Sequence, residues 1–134
     1  MYSEEWKKDV DTDLFWSIVE LARSDNEIFK EKMKTLDRRT LIWFSWYFEE
    51  LASCFGQEKF MKYTNPDYSE DSLDDLWEEV VGRGKMFYEG VLKKPETIPK
   101  TIDRSDSSHL IKYDVSNIFY KRYREEIPPV SYDY

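Results

Sequence analysis

Apolar residues recur at a helical period along most of this chain, and that period constrains the fold more than any other feature. Between residues 41 and 55 they lie three or four positions apart, which places them on one side of an α-helix. They are Leu41, Phe44, Phe48, Leu51, Ala52 and Phe55. Because Trp43, Trp46 and Tyr47 widen this apolar side, we expect a central helix whose aromatic residues lie in the core. No segment alternates apolar and polar residues for long enough to predict a β-sheet.

Two further helices are predicted before the central one. The first extends from about Asp13 to Arg23. Its apolar stripe consists of Phe15, Ile18, Val19 and Ala22. Ser24 and Glu27 have the spacing of a capping box, so we expect a second helix to begin there and to end near Leu36. Asp37 is then in position to cap the central helix.

A fourth helix is predicted after Gly56 ends the central helix and the turn-forming pair Asn65-Pro66 has passed. Its apolar side carries Leu73, Leu76, Trp77, Val80 and Val81. The same spacing continues through Gly82 and Gly84, although each glycine weakens a helix by about 1 kcal/mol relative to alanine. The helix either breaks at these glycines or continues through them with close packing, and we expect one helix that continues to Leu92.

The last predicted helix follows a surface connection and is capped by Asp106, Ser107 or Ser108. Pro128-Pro129 ends it. The apolar stripes together predict an all-α bundle of about five helices. Because 134 residues is near the usual size of one domain, we expect residues 1–134 to form a single helical domain with a flexible C-terminal tail, residues 128–134. The alternative is a tail that lies along a partner or along the surface of the domain.

Seven of the fourteen residues from Pro66 to Glu79 are carboxylates, and this segment contains no Lys or Arg. The seven are Asp67, Glu70, Asp71, Asp74, Asp75, Glu78 and Glu79. Neighbouring carboxylates on a helix repel one another by a few tenths of a kcal/mol per pair. Their clustering despite this repulsion indicates a function. We predict that all seven bind a basic protein partner. The alternative is a solvated helix face that the helix dipole helps to stabilise.

The overall charge disfavours two other classes of partner. With 20 basic and 28 acidic side chains the net charge is −8, which repels nucleic acid and anionic lipid. The basic pairs Lys7-Lys8, Arg38-Arg39 and Lys121-Arg122 are dispersed among acids, so they indicate solvated surfaces. No apolar run approaches the roughly 20 residues that span a membrane, and the N-terminus lacks the pattern of a signal peptide. We expect a cytoplasmic protein that binds neither nucleic acid nor membrane.

His109 and Cys54, the residues that could act as a general base and a nucleophile, can each be explained by a structural role. His109 is the only histidine, and Ser107 and Ser108 beside it would not face it on a helix, so we expect a capping or surface role for His109. Cys54, the only cysteine, lies among apolar residues and lacks a neighbour that would lower its pKa, which predicts a packed thiol.

No metal or cofactor is predicted. Asp71, Asp75 and Glu78 share one helix face, but oxygen-only metal sites usually need loop carbonyls as well, and no histidine accompanies these acids. The chain also lacks a glycine-rich phosphate loop and metal-spaced Cys and His residues. We therefore expect a protein that is not an enzyme.

Short motifs in the first and fourth helices resemble a bacterial family of domains of unknown function. The first is Phe15-Trp16-x-Ile18-Val19-x-x-Ala22-Arg23, and the second is Ser69-x-Asp71-Ser72-Leu73-x-Asp75-Leu76, which leads to Val80-Val81-x-Arg83-Gly84 and Tyr88. The resemblance covers roughly Asp13 to Pro99. It implies a small helical domain without an established set of catalytic residues.

These features predict a non-catalytic domain whose carboxylates cover a basic protein. A bacterial immunity protein that neutralises a toxin fits this prediction, because nuclease toxins carry positive surfaces for their substrates. The alternative hypothesis is a small enzyme or ligand-binding regulator that uses the aromatic core and His109.

Overall fold

The computed structural model describes residues 4–105 and 107–130, and within them the chain is helical without a β-strand. The α-helices are α1 (Thr12–Ser24), α2 (Asn26–Thr35), α3 (Arg38–Ser53), α4 (Glu58–Met61), α5 (Glu70–Gly82), α6 (Lys85–Lys93) and α7 (Ile111–Tyr123). Short 3-10 segments occupy Glu5–Asp9, Cys54–Gly56, Pro95–Thr97 and Ser108–Leu110. The all-α prediction is confirmed, but the described residues contain seven α-helices where about five were expected. None of these helices combines the length and apolar character of a membrane span.

Aspartate side chains begin the first three helices. Asp11, Asp25 and Asp37 each accept a hydrogen bond from the backbone N–H three residues later, at 3.0, 3.1 and 2.8 Å. These bonds satisfy amide groups that have no partner within the helix. The predicted Asp37 cap is confirmed, whereas α2 is capped by Asp25, one residue after the predicted Ser24. The Ser24 hydroxyl instead donates to the carbonyl of Leu21 in α1.

The predicted fourth helix is two helices, because the chain turns between Gly82 and Lys85. Gly84 has a φ of +103°, a backbone conformation that residues with a Cβ rarely adopt. Gly82 lies so close to the segment before α7 that an added Cβ would overlap the backbone carbonyl of Ser108. The prediction of one helix to Leu92 is therefore wrong, since the glycines serve a turn and a close backbone approach.

The last helix begins later than predicted. Ser107 and Ser108 lie in or beside the preceding 3-10 turn, and the N-cap position of α7 is held by Leu110, whose side chain cannot accept a hydrogen bond. The third predicted cap, Asp106, lies outside the described residues. The helix ends where Arg124 adopts a left-handed conformation, φ 55°, several residues before the two prolines.

Helix α3 forms the centre of an aromatic core. Its buried residues are Leu41, Ile42, Trp43, Phe44, Ser45, Trp46, Phe48 and Ala52. Trp43 and Trp46 lie in the core as expected, while Tyr47 packs against its edge. The ring of Phe15 in α1 lies 4.8 Å from the rings of both Phe44 and Tyr47, so aromatic contacts join α1 to α3.

The segment after α7 returns across α3. The indole N–H of Trp46 donates a hydrogen bond to the carbonyl of Pro128 at 2.7 Å, and Ile127 and Val130 pack in part against the core. The first residues of the predicted tail therefore contact the domain. Residues 131–134 lie outside the described part of the chain.

Candidate functional site

Helix α5 presents most of the predicted carboxylates to solvent. It begins at Ser69, whose hydroxyl accepts a hydrogen bond from the N–H of Ser72 at 3.2 Å, and its apolar side is buried against α3. The carboxylates on or beside its outer side form what we call the acidic face: Asp67, Glu70, Asp71, Asp74, Asp75 and Glu78. The first four of these residues are exposed, Asp75 is partly exposed, and Glu78 lies at the inner edge.

Glu79 does not belong to this surface, although the sequence placed it there. Its side chain has no solvent exposure, and Oε1 accepts hydrogen bonds from Nη2 of Arg83 at 3.1 Å and from the N–H of Asp103 at 2.8 Å. The helical period explains the correction, because Glu79 shares the buried side of α5 with Leu76 and Val80. Glu79 therefore joins α5 to the segment before α7 and is not available to a partner.

Glu78 borders the acidic face and lies near a cation from another helix. Nζ of Lys112 in α7 is 3.8 Å from Oε1 of Glu78 and 4.0 Å from Oε2 of Glu49 in α3. Burial raises the pKa of Glu78 to about 7; Lys112 opposes the rise, and Asp75, Asp74 and Glu49 add to it. Lys112 lies far from the acidic segment in sequence, so the segment gave no sign of it.

The outer carboxylates differ from Glu78 in their ion pairing. Among the described residues, Glu70, Asp71, Asp74 and Asp75 form no ion pair with a basic side chain. Partial burial raises the pKa of Asp74 above its ordinary value, the negative charges of Asp71, Asp75 and Glu70 raise it further, and the charge of Lys112 opposes part of the rise. The acidic face therefore holds crowded negative charge that a positive group from outside the chain would relieve.

A cavity of about 190 Å³ lies beside this face, between α3, α5 and α7. Asp74 and Glu78 line it on one side, Glu49 on another, and Lys112 lies between them. Trp77 also lines it, and the buried indole N–H of Trp77 has no hydrogen-bond partner among the residues described. The structure thus brings Glu49 and Lys112 to a site that sequence spacing alone could not have connected.

Comparison with known families places the chain among domains without an assigned activity. The model of a family described as "Protein of unknown function (DUF4240)" matches residues 10–125. The chain belongs to this family. The DUF4240 match includes every helix from α1 to α7 and the whole acidic face, and it confirms the resemblance to a family of unknown-function domains. No curated protein and no solved structure matches the chain.

The candidate catalytic residues of this DUF4240 domain, His109 and Cys54, form no hydrogen bond with each other. His109 is half-buried in the 3-10 turn before α7, and its Nδ1 has no hydrogen-bond partner in the described residues. Cys54 lies after α3 with its Sγ 3.8 Å from the hydroxyl of Tyr88, and burial raises the pKa of its thiol. Groups of three or more His, Cys, Asp or Glu with metal-binding geometry are absent from residues 4–105 and 107–130.

A second charged surface of the DUF4240 domain lies between α2 and α7. A groove of about 270 Å³ is lined there by Lys30, Lys34, Asp114, Asn117, Ile118, Lys121 and Arg122. Nη1 of Arg122 also donates hydrogen bonds to the carbonyls of Leu36 and Met33, at 2.5 and 3.4 Å, which ties α7 to the end of α2. The basic side chains of this groove are separated in sequence and meet only through the contact of these helices.

Proposed function

We propose that this domain binds a basic protein through its acidic face and performs no catalysis. The observation that carries the proposal is the set of outward carboxylates on α5, Glu70, Asp71, Asp74 and Asp75, which lack a basic partner among the described residues. Burial raises the pKa of Asp74, and repulsion from the neighbouring carboxylates adds to the rise; Lys or Arg side chains of a partner would relieve that repulsion. Rim charges of this kind act mainly by accelerating association, so the proposal concerns the rate of encounter as well as affinity.

The specific form of this proposal is an immunity protein that neutralises a toxin. A nuclease toxin carries a positive groove for its substrate, and an acidic domain that covers the groove both associates quickly and excludes the substrate. The net charge of −8 supports this form, because it disfavours binding to the nucleic acid itself. The domain would act in the compartment where the toxin acts, and we propose that this compartment is the cytoplasm.

The test removes charge from the acidic face without changing side-chain size. In one variant Asp74→Asn, Asp75→Asn and Glu78→Gln are combined, and Asp71 is left in place because it lies in the first turn of α5. A control variant combines Glu20→Gln, Glu31→Gln and Glu89→Gln, which are exposed on α1, α2 and α6 and lie outside the first turns of these helices. Both variants remove three carboxyl groups, and the rates are measured at pH 8, above the pKa of about 7 of Glu78, so that the two variants change the net charge about equally. A basic protein captured by the wild-type domain from its source cells is purified, and association and dissociation rates are measured over a range of salt concentrations.

We expect the first variant to associate about tenfold more slowly than wild type at low salt, with a difference that shrinks as salt rises. The control variant should stay close to wild type. Equal association rates for wild type and the first variant would refute the acidic face as the interface, and equal slowing of both variants would assign the effect to net charge alone. Co-expression of the captured protein with the domain tests the immunity form, since only a toxin would make cell growth depend on the domain.

A further inference from the structure

An exposed aromatic strip lies on the outer side of α7. Six large apolar or aromatic side chains are exposed among the described residues, and three of them lie on or just before this helix: Leu110, Tyr113 and Tyr120, with exposures of 41%, 63% and 50%. Tyr113 and Tyr120 are seven residues apart, so their side chains share one side of the helix. Tyrosine is enriched at the centres of protein interfaces, because its ring buries a large area and its hydroxyl tolerates water.

This strip borders a groove that begins at the acidic face. One cavity, of about 350 Å³, is lined by Asp75 and Glu78 of the acidic face together with Leu110 and Tyr113. A second, of about 500 Å³, is lined by Glu49, Tyr120 and Glu126 as well as by the returning C-terminal segment. Lys112 and Ser116 line both cavities, so the two adjoin each other along α7. We call this pair of adjoining cavities the α7 groove.

Acidic side chains outnumber basic ones along the groove. Asp75 and Glu78 lie toward one end, and Glu49 and Glu126 lie toward the other. Lys112, between them, is within ion-pair distance of Glu78 and Glu49, and Arg104 lines the end that holds Asp75, so these two cations offset part of this charge. The rings of Tyr113 and Tyr120 offer faces on which a cationic side chain stacks favourably. A segment that combines positive charge with planar or apolar contact area fits this surface.

We propose that the α7 groove receives an arginine-bearing segment of the basic partner, with Tyr113 and Tyr120 as its principal contacts. The proposal rests on the proposed function and refines it, because it moves the centre of the interface from α5 to α7. The acidic face then forms the charged rim that steers the partner, while the tyrosines make the contacts that keep it bound. This division agrees with interfaces in which aromatic anchors contribute most of the affinity and surrounding charges mainly set the association rate.

The first test uses the peptide nona-arginine as a defined basic segment and maps its binding by NMR on the isotopically labelled domain. We expect chemical-shift changes at Asp75, Tyr113, Ser116 and Tyr120, which would lie along one path. Shift changes restricted to α5 and the preceding turn would overturn the α7 groove while leaving the acidic face as a binding surface. If no residue of either surface shifts at low salt, both the proposed function and its refinement fail.

The second test separates the contributions of the rings and the charges. A double variant, Tyr113→Ala and Tyr120→Ala, should weaken nona-arginine binding about fivefold and should speed dissociation of the captured partner at all salt concentrations. Tyr113→Phe with Tyr120→Phe should restore most of the affinity, because it keeps the rings. The matched control, Ile28→Ala with Met86→Ala, removes exposed apolar side chains of α2 and α6 and should change binding less than twofold.

The outcomes distinguish the two proposals. If the tyrosine variant dissociates at the wild-type rate while the variant of Asp74, Asp75 and Glu78 associates more slowly, the proposal of the α7 groove is refuted and the acidic face remains the proposed interface. Faster dissociation in the tyrosine variant, with unchanged association in the charge variant, would support contact with α7 but refute steering by α5. A thermal melt of each variant verifies the fold, which exposed substitutions of this kind should leave intact.

Discussion

The carboxylate of Glu79 in α5 and the guanidinium of Arg83, the residue just after that helix, lie 3.1 Å apart, and the Glu79 side chain is completely buried. The second partner of the same oxygen is the N–H of Asp103, in the segment that leads to α7. Arg83 is 23% exposed, and its guanidinium lies 4.9 Å from the centre of the Phe87 ring. A charged contact therefore joins α5, α6 and the segment before α7 at the turn where Gly84 separates the two helices.

Replacing Arg83 by methionine should destabilise the protein, because it leaves a buried carboxylate without its cation. Breaking a buried pair from one side typically costs 3–5 kcal/mol, and the partial exposure of Arg83 reduces our expectation to about 2–3 kcal/mol. Urea unfolding at neutral pH measures this loss. Arg23→Met is the control, since Arg23 and Glu20 form an exposed pair, 3.3 Å apart, whose loss should cost less than about 1 kcal/mol. Equal losses in the two variants would contradict a special role for the buried pair.

Alanine substitutions at Gly82 and at Gly90 should change the free energy of unfolding in opposite directions. A Cβ at Gly82 would overlap the backbone of Ser108, so Gly82→Ala should lower the free energy of unfolding by about 2 kcal/mol or more. A Cβ added at Gly90, within α6, would have no neighbouring atom within 4 Å, so Gly90→Ala should raise that free energy by about 0.5–1 kcal/mol. Thermal or urea unfolding distinguishes the two signs. A stabilised Gly82→Ala variant would show that the two segments can separate at no cost.

Local signals predicted the beginnings and faces of most helices, but they did not predict the break near Gly84. The cap at Asp37 and the apolar stripe of α3 depend on residues within a few positions, so the sequence contained the necessary information. The turn after Gly82 depends on how closely the segment at Ser108 approaches, a contact between residues far apart in sequence. Helix α4, with only four residues, is too short to show a period.

The candidate site was predictable to a similar extent. The helical period places Asp71, Asp74 and Asp75 on the outer side of α5, and applied strictly it also places Glu79 on the buried side. The four-residue spacing from Glu79 to Arg83 is that of an ion pair on a helix. The sequence prediction treated all seven carboxylates of the segment as one surface and so did not separate Glu79 from the exposed ones. The position of Lys112 beside Glu78 depends on the packing of α7 against α3 and α5, which no local pattern encodes.

Cys54 should react slowly in the folded protein. Burial raises the pKa of its thiol, and the hydroxyl of Tyr88, 3.8 Å away, opposes only part of that rise. Since the thiolate is the reactive form, alkylation by iodoacetamide near neutral pH should be at least about tenfold slower than in urea. Mass spectrometry of timed samples measures both rates. Comparable rates in the two states would mean that the thiol is more accessible and more acidic than its surroundings predict.

Glu78 should make the stability of the domain depend on pH between about 4.5 and 7. Burial raises its pKa in the folded protein from 4.5 to about 7, so in this interval the folded state binds a proton that the unfolded state has released. The free energy of unfolding contributed by this group is therefore greatest below pH 4.5 and falls as pH rises toward 7, by an amount on the order of 2 kcal/mol.

Comparison of variants isolates this contribution from those of Asp74, Asp37 and Asp103, whose pKa values also move on folding. The Glu78→Gln variant cannot ionise, so its stability relative to wild type should increase as pH rises through the interval, as measured by urea unfolding at successive pH values. Lys112→Met should extend the fall of stability above pH 7, because Lys112 holds the pKa of Glu78 down. A constant difference between wild type and Glu78→Gln from pH 4 to 8 would refute the raised pKa.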